Sequence, residues 1–305
     1  MNSPDQPPVF HPTINLLSPA GWQDYTLLDT GNGEKLEQYG RVRLIRPEPE
    51  AIWSPRAPRA EWEKANARYV PAPEENGGHW VRLKDLPERW QMKYRGLKFW
   101  LQTSGSRHLG VFPEQAAQWD WMAERITHAN RPIRVLNLFG YTGLASLACA
   151  QSGAQVTHVD ASRKAITWAN ENCLLSSLEN APIRWIVDDA VKYIQRESRR
   201  RSLYDGLILD PPKFGRGPKG EVWEFYKLLP TLLSACRDVL SPNPLFVMLT
   251  AYAVKASAIT LQNGLAEITS HLKGQVSGGE IGLVEKSARR FLSTAIYACW
   301  NADNP

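Results

Sequence analysis

The chain has 305 residues, of which 43% are hydrophobic and 22% charged, with a formal net charge of +5. That length and apolar content suit two folded units with a sizeable core, and no internal repeat or extended low-complexity tract is present. Cys149, Cys173, Cys236 and Cys299 form no C-x-x-C pair and lack a histidine at metal spacing, which argues against a metal site and for reduced thiols in the cytoplasm; no apolar run reaches the length of a signal core or a membrane span. Taken in order, residues 1–20 form a proline-rich lead that is expected to be flexible. Residues 21–104 read as a small β-rich accessory unit with short strands at Tyr25 to Leu28, Leu36 to Ile45 around Gly40, Trp80 to Leu83, Trp90 to Met92 and Leu97 to Thr103, and one short helix near Arg59 to Ala67. Prolines 47, 49, 55 and 58 limit regular structure ahead of that helix, and Pro71 to Gly78 reads as an exposed loop. Six of the 12 tryptophans (Trp22, Trp53, Trp62, Trp80, Trp90 and Trp100) fall in this unit, which gives it a heavy aromatic core or an exposed stacking face.

Residues 105–305 read as one α/β unit. Gly105 to Gln115, GSRHLGVFPEQ, leads into a helix carrying Gln118, Trp119 and Trp121; Pro113 and Glu114 both suit the start of that helix. Val135 to Leu138 is an apolar run fit for a buried parallel strand, Phe139 to Gly143 is a glycine-bearing turn, Leu144 to Gln151 is a helix, and Gln155 to Val159 is a second strand that stops on Asp160. Arg163 to Leu174 follows as a helix capped by Ser162, then a third strand at Arg184 to Val187, then Asp188 and Asp189 before a helix from Ala190 to Glu197. Tyr204 to Leu209 is the fourth strand, ending in Asp210-Pro211-Pro212; two prolines stiffen that turn. A helix from Phe225 to Val239, a strand from Leu245 to Leu249, a helix from Lys255 to Leu272 and an antiparallel pair, Gly278 to Glu285 with Phe291 to Trp300, complete the chain.

The turn after the first strand narrows the ligand. Gly140 and Gly143 are two glycines where a dinucleotide fingerprint needs three, and no G-x-x-x-x-G-K-[ST] phosphate loop occurs nearby. An acidic residue about 20 positions after the first turn glycine suits the two hydroxyls of a ribose, so Asp160 points to an adenosine ligand without a pyrophosphate. S-adenosylmethionine meets that description.

On these residues the chain resembles the class I S-adenosylmethionine-dependent methyltransferases. Asn137-Leu138-Phe139-Gly140-Tyr141-Thr142-Gly143 is similar to their cofactor loop, and Asp160 to their ribose-binding acid. Asp210-Pro211-Pro212-Lys213-Phe214 is similar to the DPPKF stretch of bacterial 23S, large-subunit ribosomal RNA methyltransferases, a group that includes a cytosine-5 branch, and the order of segments agrees from about His108 to Trp300. The resemblance implies a seven-stranded, doubly wound, Rossmann-like sheet, S-adenosylmethionine as cofactor and RNA as partner. It places Phe112 and Gln115 over the cofactor, favours Asp189 for the adenine amino group with Asp188 as the alternative, and makes Asp210 and Lys213 the catalytic candidates. Either acid also suits a simple helix cap. Asp210 would meet a substrate nitrogen or the methionine end of the cofactor, and Lys213 a phosphate or a base; spacing alone does not choose.

One departure bears on the chemistry. Methylation at carbon 5 of cytosine requires a thiolate to add at C6, and in the resembled enzymes that cysteine follows the strand after the DPP turn. Here Leu245 to Leu249 is followed by Thr250-Ala251-Tyr252, while Cys236 reads as buried in a helix. A ring or exocyclic nitrogen, which needs no covalent activation, becomes the favoured acceptor. Arg196, Arg199, Arg200, Arg201, Lys213, Arg216 and Lys219 bracket the DPP segment and make its side locally basic, although a solvated helix end and loop would look the same. Arg289 and Arg290, between the last two strands, are further RNA-contact candidates by resemblance, with a solvated hairpin tip as the equal alternative. A small-molecule or protein methyltransferase, or a cofactor-binding RNA-associated module without turnover, are the other readings. The sequence carries no signal of oligomeric state.

Overall fold

The computed structural model describes residues 13–72 and 77–303. The chain begins with β1 (Asn15–Leu17), continues through β2 (Tyr25–Gly31), β3 (Glu34–Tyr39), β4 (Val42–Pro47), the one-turn α1 (Arg59–Trp62), β5 (Ala67–Pro71) and β6 (Gly78–Arg82), and then forms the hairpin of β7 (Arg89–Tyr94) and β8 (Leu97–Gln102). A 3-10 turn at Pro113–Gln115 runs into α2 (Ala116–His128), followed by β9 (Arg134–Leu138), α3 (Leu144–Gln151), β10 (Gln155–Asp160), α4 (Arg163–Leu175), β11 (Ile183–Val187) and α5 (Ala190–Arg200). After β12 (Gly206–Leu209) come a small hairpin of β13 (Phe214–Arg216) and β14 (Val222–Glu224), then α6 (Phe225–Val239), β15 (Phe246–Ala251), α7 (Ala258–Thr269), β16 (Gly274–Val284) and β17 (Phe291–Ala302).

The large sheet has the order β1-β16-β17-β15-β12-β9-β10-β11, parallel from β15 to β11. Alternation along its central strands explains both faces. Val135, Phe246 and Met248 join one apolar cluster with α2 and α3, while Leu136, Leu138, Val247 and Leu249 join another with α5, α6 and α7. The chain runs β9, β10, β11 in one direction and β12, β15 in the other, so the strand order reverses between β9 and β12. Ligands gather at the carboxyl ends of strands at such a switch point.

The seven expected strands are present as β9 to β12 and β15 to β17, and an eighth, β1, extends the sheet. The lead expected over residues 1–20 is therefore ordered in part; its residues 1–12 lie outside the described residues. Asn15, Leu16 and Leu17 pair in parallel with Gly279, Glu280 and Ile281. A Cβ on Gly279 would fall 1.8 Å from the Asn15 carbonyl oxygen, so the second glycine of Gly278-Gly279 is what admits this strand. The expected loop from Pro71 to Gly78 is bounded by the pairing of β5 with β6, and residues 73–76 lie outside the described residues.

The N-terminal strands form a five-stranded sheet, β2-β3-β4-β5-β6, beside the separate β7–β8 hairpin. Their tryptophans are mainly core: Trp90 is buried, and Trp22, Trp53 and Trp80 are partly buried against the same cluster that contains Leu147 and Val156 of the large sheet's helices and strands. The connection between β16 and β17 is bonded to β2, with the amides of Lys286 and Ser287 donating to the carbonyls of Leu27 and Leu28 at 2.9 and 3.1 Å. Arg290 is consumed there. It donates to the carboxylate of Glu285 at 2.5 Å and to the carbonyls of Ser54 and Thr30 at 3.2 and 3.1 Å, so this arginine, a candidate RNA contact by resemblance, is engaged as a structural tie.

Candidate active site at the sheet switch point

The turn after β9 is shaped by close contacts. Gly140 donates its N–H to the Val159 carbonyl at 3.1 Å, and a Cβ there would lie 2.3 Å from Cε1 of His158. His158 is fully buried, and burial pushes its imidazole down to about 3, so the ring beneath the turn is neutral. Its Nδ1 meets Ser146 Oγ at 2.9 Å, and the same hydroxyl accepts from Asn137 Nδ2 at 2.9 Å. Asn137 is thus a buried support for the turn that borders the floor of the site. Phe139 and Tyr141 take φ values of 61° and 51°, an unusual conformation for non-glycine residues, and Gly143 opens α3 at φ 87°. A Cβ on Gly143 would sit 2.8 Å from that of Ala169.

Gly140→Ala should therefore force the turn or His158 to move. A destabilisation of about 1–3 kcal/mol, the range for overpacking, is expected together with weaker cofactor binding. Adding His158→Ala should recover part of both, as read by thermal unfolding and calorimetry; a single Gly140→Ala variant as stable as the parent would contradict the contact.

Asp160 closes β10. Its Oδ2 accepts from the Tyr141 amide at 2.9 Å and its Oδ1 from the Ser162 amide at 2.7 Å, so one carboxylate ties the turn to the next loop and retains lone pairs for a ligand. Burial raises its carboxyl above the ordinary range, against the pull of those two N–H groups. Beyond β11, Asp189 caps α5 by accepting from the Lys192 amide at 2.9 Å. Asp188 accepts from the Asp189 amide at 2.9 Å and pairs with Arg196. Both acids face the same cavity as Asp160, each with a structural task already in hand.

Asp210 follows β12 and receives Gln115 Nε2 at 2.7 Å. Burial pushes its carboxyl up to about 7; the Gln115 bond opposes the rise, and the negative charges of Glu114 and Asp160 add to it. Lys213 is exposed at the cavity edge. The DPP turn continues into β13 and β14, a hairpin that the polar, glycine-rich stretch after Phe214 did not announce. Trp223 anchors it, donating Nε1 to the Pro212 carbonyl at 2.6 Å with its ring 5.0 Å from that of Phe139. Phe112 sits opposite, with ring centroids 5.9 Å from Tyr141, 5.1 Å from Tyr252 and 5.0 Å from His108.

A cavity of about 600 Å³ runs from Asp188 and Asp189 past Asp160 and Tyr141 to Asp210, Pro211 and Tyr252. A small void of about 40 Å³ beneath the turn is bordered by Asn137, Gly140 and Gln115. Of the candidates, Phe112, Phe139, Tyr141, Asp160, Asp188, Asp189, Asp210 and Lys213 line the main cavity, Gln115, Asn137 and Gly140 border the small void beneath the turn, and Gly143 borders neither and shapes the turn from behind. Trp223, Tyr252, His108 and Glu114 were not singled out as site residues; only the isolated Trp223 in a polar stretch offered a signal. The residues fit S-adenosylmethionine: a paired acceptor for the ribose, no phosphate cradle, and the rings of Phe112, Phe139 and Tyr141 with a carboxyl at the far end for a sulfonium cation.

Residues 52–246 match the family described as S-adenosylmethionine-dependent methyltransferase. The chain belongs to that family. A S-adenosylmethionine-dependent methyltransferase from Agrobacterium tumefaciens is 46% identical, over 94% of this chain and 93% of that one, with a TM-score of 0.91. A putative methyltransferase complexed with SAH shares the fold at a TM-score of 0.71 and 19% identity, over 91% of this methyltransferase and 75% of that chain. Ribosomal RNA large subunit methyltransferase K/L of Shewanella frigidimarina is 33% identical over 150 residues, 48% of this chain. The Hahella chejuensis protein of the same name is 30% identical over 159 residues. The methyltransferase spans about a fifth (20% and 21%) of the length of these curated relatives.

Proposed function

We propose that this methyltransferase acts in the cytosol on RNA, with large-subunit ribosomal RNA as the first candidate, and moves the methyl group directly to a base nitrogen. The observation that carries the reading is the 33% identity over 150 residues to a protein named for ribosomal RNA large-subunit methylation. The cavity supports the non-covalent route. No cysteine borders it among the described residues, all four cysteines are buried, and burial raises the thiol of Cys236. Exposed Lys213, Arg216 and Arg107 border the cavity, and the ring of Phe214, next in the chain to Lys213, is 55% accessible. Basic side chains beside an exposed aromatic suit a nucleotide chain.

In this reading residues 105–305 carry catalysis and 21–104 help to select the substrate. Asp160 receives the ribose hydroxyls, Asp188 or Asp189 the adenine end, and the turn from Phe139 through Gly140 and Tyr141 to Gly143 the body of the cofactor. S-adenosylmethionine supplies a methyl group already activated by its sulfonium charge. Asp210, held by Gln115, lies where a cation would favour its charged form, and Phe112 with Tyr252 excludes water from that end. Lys213 at the rim is placed for a phosphate.

The test sets the wild-type protein and Cys236→Ser side by side in methyl transfer to RNA. Equal label, with no protein–RNA adduct surviving denaturation, is expected. A Cys236→Ser variant that folds and binds cofactor yet transfers nothing would overturn the non-covalent route.

A further inference from the structure

Beside Phe112 and Tyr252 lies another cavity, of about 270 Å³, between the N-terminal sheet and the start of β17. Arg107, His108, Phe112, Tyr252 and Ala253 border both it and the cofactor cavity, so the two spaces adjoin at the end marked by Asp210. Two polar groups stand side by side where the spaces meet, Glu114 and the Tyr252 hydroxyl. Glu114 is 5% exposed and makes no ion pair among the described residues, while the nearby Lys35 is held by Glu48 at 2.9 Å and Arg46 by Glu37 at 2.6 Å. The Tyr252 hydroxyl is buried beside Glu114 and Gln115 with no aligned hydrogen bond among the described residues. A buried hydroxyl left without an aligned partner, beside a carboxylate with no cation of its own, calls for an explanation.

We propose that this second cavity is the acceptor pocket, that it takes a flipped-out nucleobase carrying an N–H donor, and that Glu114 accepts the proton which the base nitrogen gives up. This rests on the RNA reading above. The volume suits a single planar ring system better than a whole cofactor, being just below the range of about 300–1,000 Å³ usual for ligand pockets. Phe112 offers a ring face, His108 lies 5.0 Å from it, and burial with the neighbouring Arg46, Arg107 and Lys35 pushes the His108 imidazole down to about 3, so that it stays neutral. Extrusion of a base into a pocket of aromatic faces and hydrogen-bonding groups is how enzymes reach base atoms in structured nucleic acid. Burial also raises the Glu114 carboxyl, against the pull of Lys35 and Arg46, which makes it a better proton acceptor than an exposed glutamate. In the step, the nitrogen lone pair forms the new N–CH₃ bond and the C–S bonding pair leaves with sulfur as a neutral thioether. The N–H bonding pair stays on nitrogen, and its proton passes to the Glu114 carboxylate. Tyr252 would donate to an acceptor atom on the same ring.

Labelled methyl transfer to total RNA from cells lacking the protein, measured beside cofactor affinity by calorimetry, separates the possibilities. Glu114→Gln is expected to lower the transfer rate about a hundredfold, within the usual range for a general base, with cofactor affinity unchanged. Thr294→Trp, which fills the pocket from β17, should abolish transfer while the protein still folds and binds cofactor. Wild-type transfer by Glu114→Gln, or loss of cofactor binding in a folded Thr294→Trp, overturns the pocket and leaves the RNA reading standing. Label in a metabolite or protein fraction and none in RNA overturns both.

Discussion

Replacing Asp160 with alanine is expected to weaken S-adenosylmethionine binding by about 1.5–3 kcal/mol, the range for hydrogen bonds to a charged group, or roughly 10- to 150-fold in Kd. The effect should fall toward the upper end, because the same carboxylate accepts the amides of Tyr141 and Ser162 and so holds two walls of the cavity. Asp160→Asn keeps the shape and one acceptor oxygen but loses the charge; an intermediate affinity is expected. Calorimetry on folded protein decides the matter. An Asp160→Ala variant with the affinity of the parent would remove this residue from the cofactor site.

Glu37→Gln should be the most damaging change outside the cavity. Glu37 is fully buried in the N-terminal sheet and holds Arg46 by two bonds of 2.6 and 2.7 Å, while the hydroxyls of Tyr25 and Tyr39 donate to it at 2.9 Å each. Removing one charge leaves Arg46 buried and uncompensated, which is expected to cost about 3–5 kcal/mol in stability. Arg46 also donates to the carbonyl of Arg107 at 3.1 Å, so the segment leading to Phe112 should loosen as well. Burial alone would raise the Glu37 carboxyl, but Arg46 and Lys35 prevail and hold it down to about 2, against an ordinary value of 4.5. A depressed carboxyl contributes stability that is complete above the unfolded-state value and disappears as pH falls through the folded one. Wild-type protein should therefore lose this contribution between pH 4.5 and about 2, and Glu37→Gln should lack that portion of the pH dependence. Denaturant unfolding across that range tests it; a variant within about 1 kcal/mol of the parent would show that the pair is not the tie it looks to be.

The parts of the fold that could be read from sequence are those governed by local pattern. The apolar runs ending at Leu138 and Leu209, the turn glycines and Asp160 carry their own periodicity and conformational demands, and the structure sets them at adjoining strand ends. The parts that could not be read depend on distant partners. β1 is a short strand with no alternation of its own, ordered only by β16 more than 250 positions away. The β13–β14 hairpin lies in a polar stretch and is held by distant partners of Trp223 and Glu221. Function was ambiguous wherever one residue type serves two ends. Asp189 suits a cap and an adenine contact alike, and Arg290 suits a phosphate and a carboxylate; only tertiary placement shows that Glu285 has claimed it. Glu114 reads locally as a favourable charge at a helix start, and nothing nearby in sequence shows that Tyr252 and a cavity stand against it.

The proposed activity is direct methyl transfer to a nitrogen of RNA by the site that Asp160 and Asp210 mark. The measurement that tests it most directly is incubation of the wild-type protein with labelled S-adenosylmethionine and RNA from cells lacking it, followed by nucleoside analysis. Label in a nucleoside methylated on a ring or exocyclic nitrogen is the predicted result. Label in 5-methylcytidine, or in no RNA nucleoside at all, would contradict it.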